Sequence, residues 1–98
     1  MFTRIVKLTF ESKDIELFLS NFKESKNDIR NFPGCNHLKL LRDKANPSIF
    51  FTYSKWESEE ALDNYRNSDL FKSIWTKTKP MFSDKPEAWS VDVLAELL

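Results

Sequence analysis

The feature that most constrains the fold is a hydrophobic period that changes along the chain between two residues and about 3.6. Residues 2–10 alternate, which predicts a first strand with one apolar face made of Phe2, Val6, Leu8 and Phe10. From Asp14 to Arg30 the apolar residues recur at helical spacing, and Asp14 or Ser12 can cap the helix. We therefore expect a helix after the first strand, ending before the turn at Phe32-Pro33-Gly34.

The same change of period occurs a second time. Residues 35–43 and 48–56 are typical of two strands joined by a short connection, so we expect antiparallel neighbours. Ser58 marks the start of a second helix, and Ser68 marks a break in that helix with a new cap. The chain then alternates over 89–97, which predicts a last strand with a face made of Trp89, Val91, Val93, Ala95 and Leu97.

The order strand, helix, strand, strand, helix, strand predicts an α+β domain of ferredoxin-like βαββαβ topology. In this topology both helices lie on one face of an antiparallel sheet. A chain of 98 residues has room for one hydrophobic core, so we expect a single domain over 1–98.

The other face of the predicted sheet also carries apolar residues. The third strand offers Ile49, Phe51 and Tyr53 on one side and Phe50 and Trp56 on the other, and the last strand adds Leu94 and Leu98. Two helices cover only one face, and an apolar patch of this kind indicates an interface. We expect a homodimer formed through the sheet, although isolated apolar residues are also normal on protein surfaces.

Composition excludes several partners. The 15 basic residues balance the 15 acidic residues, so the chain lacks the positive charge that binding to nucleic acid or an anionic membrane requires. No apolar stretch is long enough for a signal peptide or a membrane span. The single cysteine, Cys35, cannot form an internal disulfide, and no Cys/His cluster has metal-site spacing. We expect a cytoplasmic protein without a metal site.

Three segments carry a resemblance to a known family: Phe32-Pro33-Gly34-Cys35, residues 53–58 and residues 62–71. With these segments the chain resembles the antibiotic biosynthesis monooxygenase (ABM) superfamily over nearly its whole length. The resemblance implies a dimeric α+β barrel with a pocket between helices and sheet. There a planar aromatic or quinone-like substrate would be deprotonated and would react with dioxygen without a cofactor. None of the three segments is a catalytic signature, and the family also includes isomerases and proteins of no known activity.

The heme-degrading branch of the superfamily has its own motif, with an Asn on the first strand, a Trp in the second helix just before a Ser-x-x-Phe break, and a His, the heme ligand, one turn beyond that break. The corresponding positions here are Val6, Tyr65 and Trp75. All three differ, so the resemblance does not extend to heme degradation. A heme-binding protein would have to use His37 as the iron ligand.

Three residues are candidates for catalysis. His37 is the only histidine, and an imidazole is the natural general base near neutral pH, although a strand histidine at an interface or a sheet edge is as common. Tyr65 and Trp75 lie ten residues apart, about 80° apart around a continuous helix, so they can line one pocket or be core aromatics.

Four further residues are candidates for substrate binding: Asn36, Tyr53, Trp56 and Phe71. Asn36 and Tyr53 are polar groups on strands, which need partners that a ligand can supply. Trp56 immediately precedes a helix cap and is better explained as a structural contact.

Three functions remain open at this stage. An oxygenase predicts an aromatic pocket with inward polar donors. A non-catalytic dimer that binds a small ligand or serves as an accessory protein predicts a pocket filled by the chain's own Phe and Trp side chains. A heme-binding protein predicts that His37 reaches the pocket.

Overall fold

The computed structural model describes every residue from Met1 to Leu98. Its elements follow the predicted order, with two 3-10 turns, Ser12–Asp14 and Lys79–Met81, beside the main helices. The strands and helices in chain order are β1 (Phe2–Thr9), α1 (Ile15–Arg30), β2 (Cys35–Arg42), β3 (Ile49–Trp56), α2 (Glu59–Arg66), α3 (Asp69–Thr78) and β4 (Glu87–Val91).

The four strands form one sheet in the order β2-β3-β1-β4, and every neighbouring pair is antiparallel. The long central strands β1 and β3 pair over eight residues each, from Phe2 opposite Trp56 to Thr9 opposite Ile49. The helices pack on one face of this sheet. The predicted α+β ferredoxin-like fold is therefore confirmed.

The register of the strands shows which residues lie on each face of the sheet. Residues opposite each other in an antiparallel pair point to the same side. Phe2, Val6 and Leu8 of β1 therefore face the helices, while Ile5 and its β3 partner Tyr53 point away. We call the second side the open face, and its apolar and aromatic members are Ile5, Leu41, Ile49, Phe51, Tyr53, Trp89 and Val91.

The core between helices and sheet consists of two clusters of buried side chains. The larger cluster contains Leu8, Phe10, Ile15, Phe18, Phe50 and Met81, and the smaller contains Phe2, Cys35, Trp56 and Leu62. Phe10 and Phe18 pack with ring centroids 4.2 Å apart, and Phe10 meets the Phe50 ring edge-on at 5.7 Å. Burial of each such aromatic side chain stabilises the fold by roughly 1.5–3 kcal/mol.

The predicted turn at Gly34 and the two predicted helix starts depend on local backbone geometry and local hydrogen bonds. Gly34 has a φ of 91°, which a residue with a Cβ rarely adopts, and it also packs closely against Ala61 of α2. Ser58 accepts a hydrogen bond from the Ala61 amide, and Ser68 accepts one from the Phe71 amide. Ser68 thus begins α3 as a separate helix, which confirms the predicted break.

Two sequence expectations about element ends are corrected. Asp14 precedes α1, but its side chain makes no capping hydrogen bond, because a 3-10 turn leads into the helix and holds Asp14 in helical backbone geometry. Phe10 lies beyond the end of β1 and forms only an isolated bridge with Phe82.

The last strand is shorter than predicted. The alternation over 89–97 predicts a strand to Leu97, but β4 ends at Val91. Val91 lies opposite Thr3, close to the start of β1, so the residues after Val91 run past the end of their only neighbouring strand. Without a partner for backbone hydrogen bonds the alternating pattern forms no strand within the chain, and residues 92–98 are exposed.

Candidate functional site

A cavity of about 370 Å³ lies between the sheet and the helices. Its floor comes from the helix-facing residues of the strands, including Arg4, Val6, Leu8 and Ser54, and its walls come from α1, α2 and α3. Thirteen of its twenty lining residues are hydrophobic. This volume is at the small end of the range for ligand cavities, about 300–1,000 Å³, and suits one small planar molecule.

One wall of the cavity is a continuous row of aromatic rings. Tyr65 stacks on Trp56 with centroids 5.1 Å apart, and it meets the edge of Phe71 at 5.2 Å. Phe71 in turn stacks on Trp75 at 5.8 Å. All four of these residues line the cavity. A planar ligand can therefore pack against ring faces and edges without displacing the chain's own side chains.

The break between α2 and α3 places Tyr65 and Trp75 on this same wall. Tyr65 lies in the last turn of α2, and Ser68 both donates to the Tyr65 carbonyl and caps α3. Because α3 starts afresh at this cap, the angle between Tyr65 and Trp75 no longer follows from a single helical rotation. The structure brings together the two aromatic residues that the sequence nominates on the second helical region.

The phenol of Tyr65 is a polar group on the aromatic wall. Burial raises the pKa of Tyr65 well above its ordinary value, and the nearby Cys35 raises it further. The phenol therefore keeps its proton at neutral pH and acts as a hydrogen-bond donor, not as a base. No residue of the chain accepts a hydrogen bond from the Tyr65 hydroxyl, so this donor is free for a ligand.

Trp56 is held more firmly than the other rings. It is 1% exposed, and its indole Nε1 donates to the Ser54 hydroxyl at 2.9 Å. Since that donor is engaged, Trp56 presents only its ring to the cavity. This arrangement agrees with a structural contact at the end of β3.

Three candidates from the sequence lie outside the cavity. His37 and Tyr53 lie on the open face, where their rings meet edge-on with centroids 5.7 Å apart. The expected placement of Tyr53 in the pocket is corrected, because Thr52 and Ser54, directly before and after it, line the cavity, and adjacent residues of a strand point to opposite faces. Asn36 is exposed at a bulge, where the register of β2 with β3 shifts between Cys35 and His37.

The position of His37 also bears on heme. The residues at the heme-motif positions, Val6, Tyr65 and Trp75, all line the cavity, but none of them carries an imidazole. His37 lies across the sheet from that cavity. The residues present therefore do not fit a heme group ligated by histidine in this cavity.

The cavity residues that sequence reasoning missed include the two basic ones, Arg4 and Arg66. A signal for Arg4 was present, because Arg4 falls in phase with Phe2, Val6 and Leu8, on the side of the strand that faces the core. A charged side chain on the core-facing side of a strand needs a specific explanation, because burial of a charge without a partner is unfavourable. Arg66 gives no comparable signal, since a basic residue in the last turn of a helix is common.

The architecture and cavity define a class of protein: ferredoxin-like α+β domains that enclose a small aromatic-lined site between helices and sheet. The family model for antibiotic biosynthesis monooxygenase matches residues 1–76 of this chain. The chain therefore belongs to the antibiotic biosynthesis monooxygenase family. A search of the curated proteins found no match.

Solved structures share the fold at low sequence identity. An antibiotic biosynthesis monooxygenase superposes with a TM-score of 0.90 at 19% identity, over 97% of this chain and 100% of that chain. A conserved protein from Methanosarcina mazei Go1 has a TM-score of 0.87 at 22% identity, with coverages of 94% and 92%. Rv0793 from Mycobacterium tuberculosis has a TM-score of 0.86 at 14% identity, with coverages of 97% and 96%. At these identities the likeness establishes the fold alone.

None of the helices combines the length and apolar character that a membrane span needs.

Proposed function

We propose that this protein is a cofactor-independent monooxygenase that acts on a small planar aromatic or quinone-like compound. Family membership supports the class of reaction. The single observation that carries the proposal is the aromatic-walled cavity with the unpaired Tyr65 hydroxyl on its wall. Such a site can hold a planar substrate and stabilise one developing negative charge.

The proposed role of Tyr65 is to donate a hydrogen bond to the substrate oxygen. An enolisable aromatic ketone such as an anthrone loses a ring CH proton to give an electron-rich enolate. A donor that binds the enolate oxygen more strongly than the ketone oxygen favours this step. The enolate then combines with dioxygen, and loss of water from the hydroperoxide gives the quinone. The walls formed by Phe71 and Trp75 hold the ring system during these steps.

His37, Tyr53 and Asn36 take no part in this scheme, because they lie outside the cavity. No imidazole lines the cavity, and burial keeps Tyr65 protonated. We therefore assign the acceptance of the substrate proton to water. Trp56 and Phe71 contribute ring surfaces for substrate binding.

Oxygen consumption with an anthrone and with a quinol tests the proposal. Purified protein, free of flavin absorbance and treated with EDTA, is expected to accelerate the uptake of dioxygen. Tyr65→Phe is expected to lower kcat/KM by about 100-fold or more, which is typical of losing one oxyanion donor. Trp75→Phe is expected mainly to raise KM, because it reduces the ring surface that packs against the substrate.

The matched control is Tyr53→Phe, which removes the hydroxyl of the other tyrosine, on the open face. It should retain the wild-type rate, and circular dichroism should give the same spectrum for all variants. Equal rates for the Tyr65→Phe and Tyr53→Phe proteins would refute the role of Tyr65. Failure to fold in both cavity variants would support a core role for Tyr65 and Trp75.

A second candidate function is a non-catalytic dimer that binds a small aromatic ligand or serves as an accessory protein. One observation favours it: the cavity offers a donor in Tyr65 but no imidazole base. This function predicts saturable binding of a quinol or anthrone with no oxygen uptake. The oxygen assay and a binding titration on the same preparation separate the two functions.

We further propose that two copies associate through the open face and that the dimer acts in the cytoplasm. The open face carries Leu41, Trp89 and Val91 with 42%, 45% and 39% of their surface exposed. The segment after β4 adds Leu94, Leu97 and Leu98, which contact almost nothing within the chain. A second copy of the same sheet would cover both sets of residues and complete a dimeric α+β barrel.

A further inference from the structure

Two guanidinium groups line a cavity that is otherwise largely apolar. Arg4 lies on the helix-facing side of β1, two residues from Val6, and Arg66 is the last residue of α2, directly after Tyr65. The two arginines come from distant parts of the chain and line the same cavity only in the folded protein. The positive charge of Arg66 acts on Arg4, so an anion placed between the two residues would be attracted by both.

The chain supplies no carboxylate to either guanidinium. Its one ion pair joins Lys7 Nζ to Glu87 Oε2 at 3.8 Å, and Glu87 is the only acidic residue that lines the cavity. Arg4 Nη1 donates to the Ser90 hydroxyl at 3.0 Å, a neutral partner. Arg66 is exposed, makes no side-chain hydrogen bond within the chain, and lies in the last turn of α2, where the helix dipole favours a cation.

The electrostatic environment of Arg4 agrees with the absence of a carboxylate partner. Burial lowers the pKa of the Arg4 guanidinium, and the positive charge of Arg66 lowers it further. Both effects disfavour a cation at this position. An anion bound between the two arginines would offset both.

The positions of polar and apolar residues also set the shape of a ligand. Along β1 the cavity floor runs from Arg4 through Val6 to Leu8. At about 3.4 Å per residue, Arg4 and Leu8 are roughly 14 Å apart along the strand. A flat ring system with a charged group at one end therefore matches the floor, with the charge at Arg4 and the rings over Val6 and Leu8.

We propose that the cavity binds a planar aromatic carboxylate, with its carboxylate held by Arg4 and Arg66 and its rings against the apolar wall. This inference rests on the proposed function, because it specifies the substrate class of the same site. A guanidinium matches a carboxylate with two parallel N–H···O bonds, which gives both strength and orientation.

A pair of ligands that differ only in charge tests the inference. Naphthalene carboxylate and its neutral carboxamide have nearly the same size and ring system. Titration of each into the wild-type protein can be followed by fluorescence of Trp56 and Trp75, which line the cavity. The carboxylate is expected to bind at least about tenfold more tightly than the carboxamide, and its affinity should fall as salt is added.

Variants assign this preference to the two arginines. Arg4→Gln and Arg66→Gln should each reduce the preference for the carboxylate over the carboxamide, and the double variant should abolish it. The matched control is Lys23→Gln with Lys72→Gln, which removes two positive charges from exposed positions outside the cavity. This control should keep the wild-type preference.

Equal binding of carboxylate and carboxamide to the wild-type protein would overturn the inference, as would retention of the preference in the Arg4→Gln, Arg66→Gln double variant. The readout is independent of turnover. Tight carboxylate binding without oxygen uptake would support the inference while refuting the oxygenase. Oxygen uptake without any preference for the carboxylate over the carboxamide would support the oxygenase and refute the inference.

Discussion

At the scale of single residues, Tyr65 links the site to the stability of the fold. Its ring stacks on Trp56 and contacts Phe32 and Phe71, while its hydroxyl finds no acceptor in the chain. Burial raises its pKa, so the neutral phenol is the form that the folded protein holds. The same property that makes Tyr65 a donor at neutral pH should make the fold sensitive to alkali.

The free energy of unfolding should fall above about pH 10, the ordinary pKa of a tyrosine. There the unfolded chain releases the phenolic proton and the folded chain keeps it. The unfolded state then binds fewer protons, and stability decreases with rising pH by up to about 1.4 kcal/mol per pH unit. Below that pH both states are protonated, and Tyr65 contributes no pH dependence. Urea unfolding between pH 7 and pH 11 measures this slope.

Tyr65→Phe should reduce the alkaline slope, whereas Tyr53→Phe on the open face should leave it unchanged. Some slope should remain in the Tyr65→Phe protein, because burial also raises the pKa of the Cys35 thiol. An identical slope in the wild-type and Tyr65→Phe proteins would contradict the assignment.

At the scale of elements, the break between α2 and α3 shapes the cavity wall. Ser68 accepts a hydrogen bond from the Phe71 amide at 3.1 Å and also donates to the Tyr65 carbonyl. Both bonds depend on one hydroxyl, which joins the end of one helix to the start of the next. The orientation of Trp75 relative to Tyr65 therefore depends on Ser68.

Ser68→Ala is expected to lower the free energy of unfolding by about 1 kcal/mol, because it removes the cap of α3. The control is Ser73→Ala, at an exposed position in the middle of α3, where alanine is the better helix former. Equilibrium urea unfolding of both variants gives the comparison. A Ser68→Ala protein as stable as the Ser73→Ala protein would show that the cap contributes nothing.

At the scale of the whole molecule, the open face is the surface through which we expect two copies to associate. Light scattering after size exclusion should give twice the 11.6 kDa mass of the chain. Leu41→Lys combined with Trp89→Lys should shift the mass toward that of one chain, because it places four charges in a two-fold symmetric interface. Leu17→Lys is the control, since Leu17 is 53% exposed on α1, away from the sheet. An unchanged dimer in the double variant would place the interface elsewhere.

The sequence by itself determined those features that depend on neighbouring residues. The order of strands and helices follows from the hydrophobic period, the turn follows from Gly34, and the two helix starts follow from Ser58 and Ser68. Each of these is a local property of the backbone or of one hydroxyl. The resemblance to the family rests on the same local segments, and the family match agrees with it.

Only the tertiary structure decided which side chains share a site. Strand register places Tyr53 and His37 on the open face, and the bulge at Asn36 shifts the register of β2. β4 ends at Val91 because Val91 lies opposite Thr3, close to the start of its only neighbouring strand, β1. Arg4 and Arg66 come to line one cavity through the packing of α2 against the sheet, which no sequence spacing encodes. Local patterns specify elements, but a site consists of contacts between residues far apart in the chain, and those depend on how the elements pack.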